Sequence, residues 1–71
     1  MVEYIVTLSW DDEASVWIAE NDEIPIALES PSLDTLMERV RAAAPELLEL
    51  NDRNHGNLFL LFKMERQTLV A

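Results

Sequence analysis

The chain has no cysteine, one glycine (Gly56), one histidine (His55), and no lysine or arginine before Arg39. Each shortage closes off a class of function. Without thiols there is neither a disulfide framework nor a thiolate metal site, and one histidine cannot make a multi-histidine site. A single glycine leaves no glycine-rich loop for cradling phosphate, and no nucleophile elbow occurs. No apolar run nears the roughly 20 residues of a membrane helix, and the N-terminal MVEYIVTLSW lacks the basic start and apolar block of a secretion signal. With thiols absent as well, the expected compartment is the cytoplasm.

What is present is acid. The net charge is -9, and ten of the fourteen acidic residues fall within residues 1–38 (Glu3, Asp11, Asp12, Glu13, Glu20, Asp22, Glu23, Glu29, Asp34 and Glu38). All five basic residues (Arg39, Arg41, Arg53, Lys63 and Arg66) follow them. Nucleic acid is not expected as a direct ligand, because binding it rests on Lys and Arg contacts to phosphate. Anionic lipid would be repelled as well. A basic protein is the natural partner of such a surface, through electrostatic steering and pairing at the rim; the competing reading is charge that serves solubility alone.

Seventy-one residues make one domain, and a chain of this size buries only about 60% of the surface it exposes when unfolded. With disulfides and thiolate metal sites excluded, self-association is the remaining way to gain buried surface. No internal repeat or linker divides residues 1–71.

Residues 3–10 (EYIVTLSW) alternate with period two, placing Tyr4, Val6, Leu8 and Trp10 on one face, the pattern of a half-buried strand. Val16–Glu20 reads as a second strand and Ile24–Glu29 as a third, with Pro25 forcing an edge or a bulge because it has no N–H. Ser32 is a helix N-cap with Asp34 in the first turn. Leu36, Met37, Val40, Ala44, Leu47 and Leu48 follow at spacings of three and four, one apolar stripe. That stripe keeps its phase across Pro45, so one helix kinked near Pro45 is expected. The stretch Asn51 to Gly56 ends it, Asn57–Glu65 forms a fourth strand, and the residues from Arg66 onward are unassigned. The expected fold is α+β, a two-layer β-β-β-α-β domain whose antiparallel sheet is covered on one face by the helix.

One helix leaves the second sheet face open, and the fourth strand is apolar on both sides: Leu58, Leu60 and Phe62 against Phe59 and Leu61. If the first hairpin pairs Trp10 with Val16, then Val16 and Ile18 point inward and Trp17 outward. Pairing Trp10 with Trp17 would instead set Val16 and Ile18 beside Thr7 and Ser9, sorting polarity less well. The first register is therefore expected, with Trp10 in the core and Trp17 on the surface. Ile5, Trp17, Phe59 and Leu61 then border an exposed apolar patch, the candidate interface of a homo-oligomer. Trp17, Glu20, Asp22 and Glu23 are the candidate residues for a second, basic partner.

Catalytic chemistry finds little support. Three adjacent acids, Asp11, Asp12 and Glu13, point in different directions, and no EF-hand-like run organises them around a cation. His55 sits in a polar loop with no partner acid at a fixed offset. No catalytic residue, metal or cofactor is expected, and the chain is read as a non-enzyme.

The run WDDEASVWIAENDEIP (Trp10 to Pro25) followed by SLDTLM from Ser32 resembles the N-terminal domain of HicB-type antitoxins, and most of all small stand-alone HicB-like bacterial domains of unassigned function. The resemblance rests on Asp11 to Trp17, Ile24-Pro25, Ser32-Leu33 and Pro45 to Asn51, and spans roughly residues 3–62. It implies a strand–strand–strand–helix–strand fold related to a degenerate half of RNase H, usually oligomeric and without nuclease activity. It also implies a small basic RNA-cleaving toxin as partner. Ile26 stands where the family commonly has glycine. HicB antitoxins generally add a C-terminal DNA-binding domain; none is expected within this chain, so DNA binding is not carried over. The alternatives are a structural or regulatory homo-oligomer without a toxin, and a small-ligand or metal-binding enzyme.

Overall fold

A computed structural model describes residues 2–50 and 57–70. Along the chain it contains β1 (Val2–Asp11), β2 (Val16–Glu20), β3 (Leu28–Ser30), α1 (Leu33–Leu50) and β4 (Leu58–Glu65). The strands form one four-stranded sheet in the order β3-β2-β1-β4, with α1 packed on one face. The expected turn at Asn51 to Gly56, with His55, lies outside the described residues.

The sheet is mixed, a correction to the antiparallel sheet expected from the sequence. β1 with β2 and β2 with β3 are antiparallel, whereas β4 runs parallel to β1. Two reversals make β3 parallel to β1, and α1 then carries the chain back along the sheet. An α-helix of eighteen residues spans roughly 27 Å at 1.5 Å per residue, enough to return it to the end where β3 began. The strand that follows such a crossover runs parallel to the one before it.

The β1–β2 hairpin is also corrected. Trp10 pairs with Trp17 and Asp11 with Val16, so Trp17 shares the inner face with Trp10 and is only 7% exposed. Val16 and Ile18 take the outer face, half-buried. Local chemistry sets this register. The Asp11 carboxylate accepts hydrogen bonds from the backbone N–H groups of Glu13 (3.1 Å) and Ala14 (3.3 Å), an Asx-type turn. Ser15 then closes the loop with a left-handed φ of 54°. Pairing the tryptophans brings their rings edge to face, 5.4 Å apart at 62°, an arrangement worth about 0.5–1.5 kcal/mol beyond area burial. Ring packing and turn geometry together outweigh the poorer polarity sorting.

Between β2 and β3 the chain is irregular and joins no strand, and β3 is shorter than the expected Ile24–Glu29 strand. Pro25 occupies neither an edge nor a bulge. It is the centre of a three-residue turn in which the Ile26 N–H donates to the Ile24 carbonyl at 2.7 Å, a γ-turn that the fixed φ of proline suits. Ile24 and Ile26, on either side of it, are both buried in the core.

Helix α1 begins where its cap predicts. The Ser32 hydroxyl accepts from the Thr35 N–H at 3.3 Å, and the Ser32 carbonyl from the Leu36 N–H at 3.0 Å. The helix runs unbroken through Pro45. Leu36, Val40, Ala44 and Leu48 recur every fourth residue and are fully buried against the sheet. They meet Tyr4, Val6 and Leu8 of β1, Trp17 and Ala19 of β2, and Ile24. Burying a Val, Leu or Ile side chain stabilises the fold by about 1.5–3 kcal/mol. Small Ala19 and Ala44 keep the two layers close. The helix lies more over β2 and β3 than over β4, so Leu58, Leu60 and Phe62 on the inner face of β4 remain half-buried.

Candidate interaction surfaces

The outer face of the sheet is built by the registers just given. Cross-strand rows place Glu20 beside Thr7 and Thr7 beside Lys63, Ile5 beside Leu61, and Glu3 beside Phe59. Two surfaces result, one acidic and one apolar.

The acidic surface is a hollow of about 500 Å³ walled by Glu3, Glu20, Asp22, Glu23 and Glu65, with Ile5 and Thr7 on its floor. Asn21 shapes it. β2 ends at Glu20, so β1 loses its neighbour beyond Thr7; there the Asn21 amide donates to the Ile5 carbonyl at 2.6 Å. The Asn21 Oδ1 accepts from the N–H groups of Glu23 (2.7 Å) and Ile24 (2.6 Å). One side chain thus replaces the missing strand and curls Asp22 and Glu23 back beside the sheet. Five like charges lining one hollow make a local negative potential that attracts cations and basic side chains. The five carboxylates line the walls without forming a metal cage; among the described residues no group of three or more His, Cys, Asp or Glu side chains is placed to hold an ion.

The apolar surface is Ile5, Phe59 and Leu61, which are 46%, 52% and 43% exposed. They lie together where β1 and β4 run side by side.

Of the candidates named from sequence, Glu20, Asp22 and Glu23 are brought together in the hollow, and Ile5, Phe59 and Leu61 adjoin one another. Trp17, expected with both groups, belongs to neither, because the hairpin register turns it into the core. Glu3 and Glu65 were missed. Glu3 has the same period-two phase as Ile5, a signal that could have found it, whereas Glu65 reaches the hollow only through the parallel β1–β4 pairing. Arg66 was missed too. Its guanidinium lies over the Trp10 ring, 4.4 Å from the centroid, and 5.7 Å from that of Trp17, while the Trp10 indole N–H donates to Asp12 at 3.0 Å. This cation–π stack ties the end of β4 to the hairpin.

The sequence matches the model of a family described as Domain of unknown function (DUF1902) over residues 3–69. A search of curated proteins finds no match. Among solved structures, the crystal structure of hypothetical protein TTHA1013 from the extremely thermophilic bacterium Thermus thermophilus is similar. The two sequences are 32% identical, the match covers 99% of each chain, and the TM-score is 0.74.

Proposed function

The chain belongs to the DUF1902 family, whose function is unknown, and from its surfaces we propose a non-enzymatic protein-interaction domain whose acidic hollow receives a small basic protein. The hollow carries this reading: five carboxylates from β1, β2, β4 and the segment after β2 surround one shallow depression. A basic side chain entering it is drawn by the summed field and held by charge-assisted hydrogen bonds. The resemblance to HicB-type antitoxins supplies the partner class, a small basic RNA-cleaving toxin that the domain would neutralise by covering it.

Co-purification from the native host at low salt tests this, since exposed charge pairs are screened beyond about 8 Å at physiological ionic strength. The expected result is a small basic protein that is lost when Glu20→Lys and Asp22→Lys are combined. Failure to recover such a partner in repeated low-salt preparations, or its retention by the doubly reversed variant, overturns the reading.

A second reading has its own observation. Ile5, on the floor of the hollow, and the adjoining Phe59 and Leu61 stay exposed on the same face, which favours a homo-oligomer, with or without a toxin partner.

A further inference from the structure

We propose that β4 of one copy pairs antiparallel with β4 of a second copy, about a two-fold axis through Leu61, joining two sheets into a continuous eight-stranded sheet. The proposal rests on the homo-oligomeric reading and gives it a geometry.

The sheet has two edges, β3 and β4. The β3 edge is blunted. It is three residues long, Pro31 follows it at once, and the Arg39 guanidinium donates to the Glu29 carbonyl at 2.9 Å. Short length, proline and charge are the usual protections of an edge. β4 has none of them over its first five residues, LFLLF, which contain neither charge nor proline. Among the described residues its backbone is bonded to β1 on one side only. Its inner face is incompletely covered as well: beside α1 a depression of about 390 Å³ runs between Arg41, Pro45 and Leu58, Leu60 and Phe62. An added strand would satisfy the backbone and cover apolar side chains on both faces.

Charge selects the occupant. Like copies, each at -9, repel, so they can meet only where acid is scarce. The β4 side carries Arg41, Lys63 and Arg66 with Glu65 among them and Glu3 on the next strand, whereas Glu20, Asp22, Glu23 and Glu29 lie on the β2–β3 side. Edge-to-edge pairing through β4 sets Glu20, Asp22, Glu23 and Glu29 of the two copies at opposite ends of the assembly.

Charge also selects the register. In two-fold antiparallel pairing, opposed residues share a sheet face, so the axis must pass through a residue of β4. With the axis at Phe62, Glu65 of the second copy falls opposite Phe59, one strand from Glu3, and Lys63 is pressed against Leu61. With the axis at Leu60, the shared stretch shortens to Leu58–Phe62. With the axis at Leu61, the whole of Leu58–Met64 is paired. Leu60 faces Phe62 of the second copy, and Leu58 faces Met64, which is 59% exposed in the single chain. Lys63 of the second copy then lies against the Phe59 ring with Glu3 on the next strand, a cation–π contact backed by a carboxylate. Ile5, Leu61 and their two counterparts form a continuous apolar row across the junction.

Sedimentation equilibrium and site-specific cross-linking of the full chain test this together. The native protein should be a dimer across the micromolar range, strengthened by salt because salt screens the repulsion between copies. The chain lacks cysteine, so single thiols report the register: Leu61→Cys should join to itself through a thiol cross-linker of about 5 Å reach, the spacing of directly opposed residues. Leu60→Cys and Phe62→Cys should each fail alone and join when mixed. Lys63→Glu, at an exposed position, should weaken the dimer at least tenfold while circular dichroism stays unchanged. A dimer in which Leu61→Cys does not self-link overturns the edge pairing and leaves the homo-oligomeric reading standing. A monomer throughout overturns both, as does a β4 edge occupied by a strand of a different protein.

Discussion

The two edges of the sheet are built to opposite rules. At the β3 edge everything is tied down: the strand is short, Arg39 holds its Glu29 carbonyl, and α1 presses Leu36 and Val40 onto the sheet beneath. At the β4 edge an eight-residue strand ends the sheet with Phe59 and Leu61 open on one face and Leu58, Leu60 and Phe62 half-covered on the other. The helix covers the sheet unevenly, and the two edges differ accordingly. Burial is concentrated on one side, and the surface left over is concentrated on the other.

Substitution can break that contrast. The largest effect is expected on the guarded side: Trp17→Ala empties a core site under the helix and should cost about 3–5 kcal/mol, read by urea unfolding. Its open-side counterpart Phe59→Ala should change the unfolding of the single chain by no more than about 0.5 kcal/mol. Equal losses for the two would erase the distinction. Next comes Asn21→Ala, which strips the Ile5 carbonyl and the Glu23 and Ile24 N–H groups of one shared partner. A loss of about 2 kcal/mol is expected, since each unsatisfied group costs about 1–3 kcal/mol when water cannot replace the bond. Faster hydrogen exchange at Glu23 and Ile24 would accompany it.

Arg39→Ala sharpens the comparison directly. Releasing the Glu29 carbonyl should lower stability by about 1 kcal/mol and give the β3 edge some capacity to self-associate, visible as higher oligomers by light scattering. No new species would mean that the brevity of β3 alone protects it. The smallest effect lies in the hairpin turn. Ser15→Gly removes the penalty of a left-handed φ but adds freedom to the unfolded chain. A net gain of about 0.5 kcal/mol is expected, and a loss would show that the Ser15 side chain contributes more than its conformation costs.

Much of the architecture could be read from residue pattern. Helix α1 was marked at both its Ser32 cap and its four-residue apolar repeat, and β2 was bounded by polar turns on either side. The phase of Ile5, Phe59 and Leu61 likewise put them on the open face. The hairpin register was not legible, because polarity sorting favoured Val16 and Ile18 inside. The opposing forces, Asp11 bonding its own turn and two indoles meeting edge to face, act between residues whose distance depends on the register itself. The candidate site was half legible for a similar reason: Glu20, Asp22 and Glu23 are close in sequence, whereas Glu3 and Glu65 stand near opposite ends of the chain and come to line one hollow only through β1 and β4.

The order and kind of the elements, the acidic first half and the apolar fourth strand are written in the residue pattern. Those follow from local periodicity and composition, which act over a few residues. The parallel run of β4 beside β1, the burial of Trp17, the stacking of Arg66 over Trp10 and the sharing of one hollow by five carboxylates arise on folding. Each of these depends on which strands become neighbours, and that choice is made by burying the helix stripe against the sheet, a free energy summed over the whole chain.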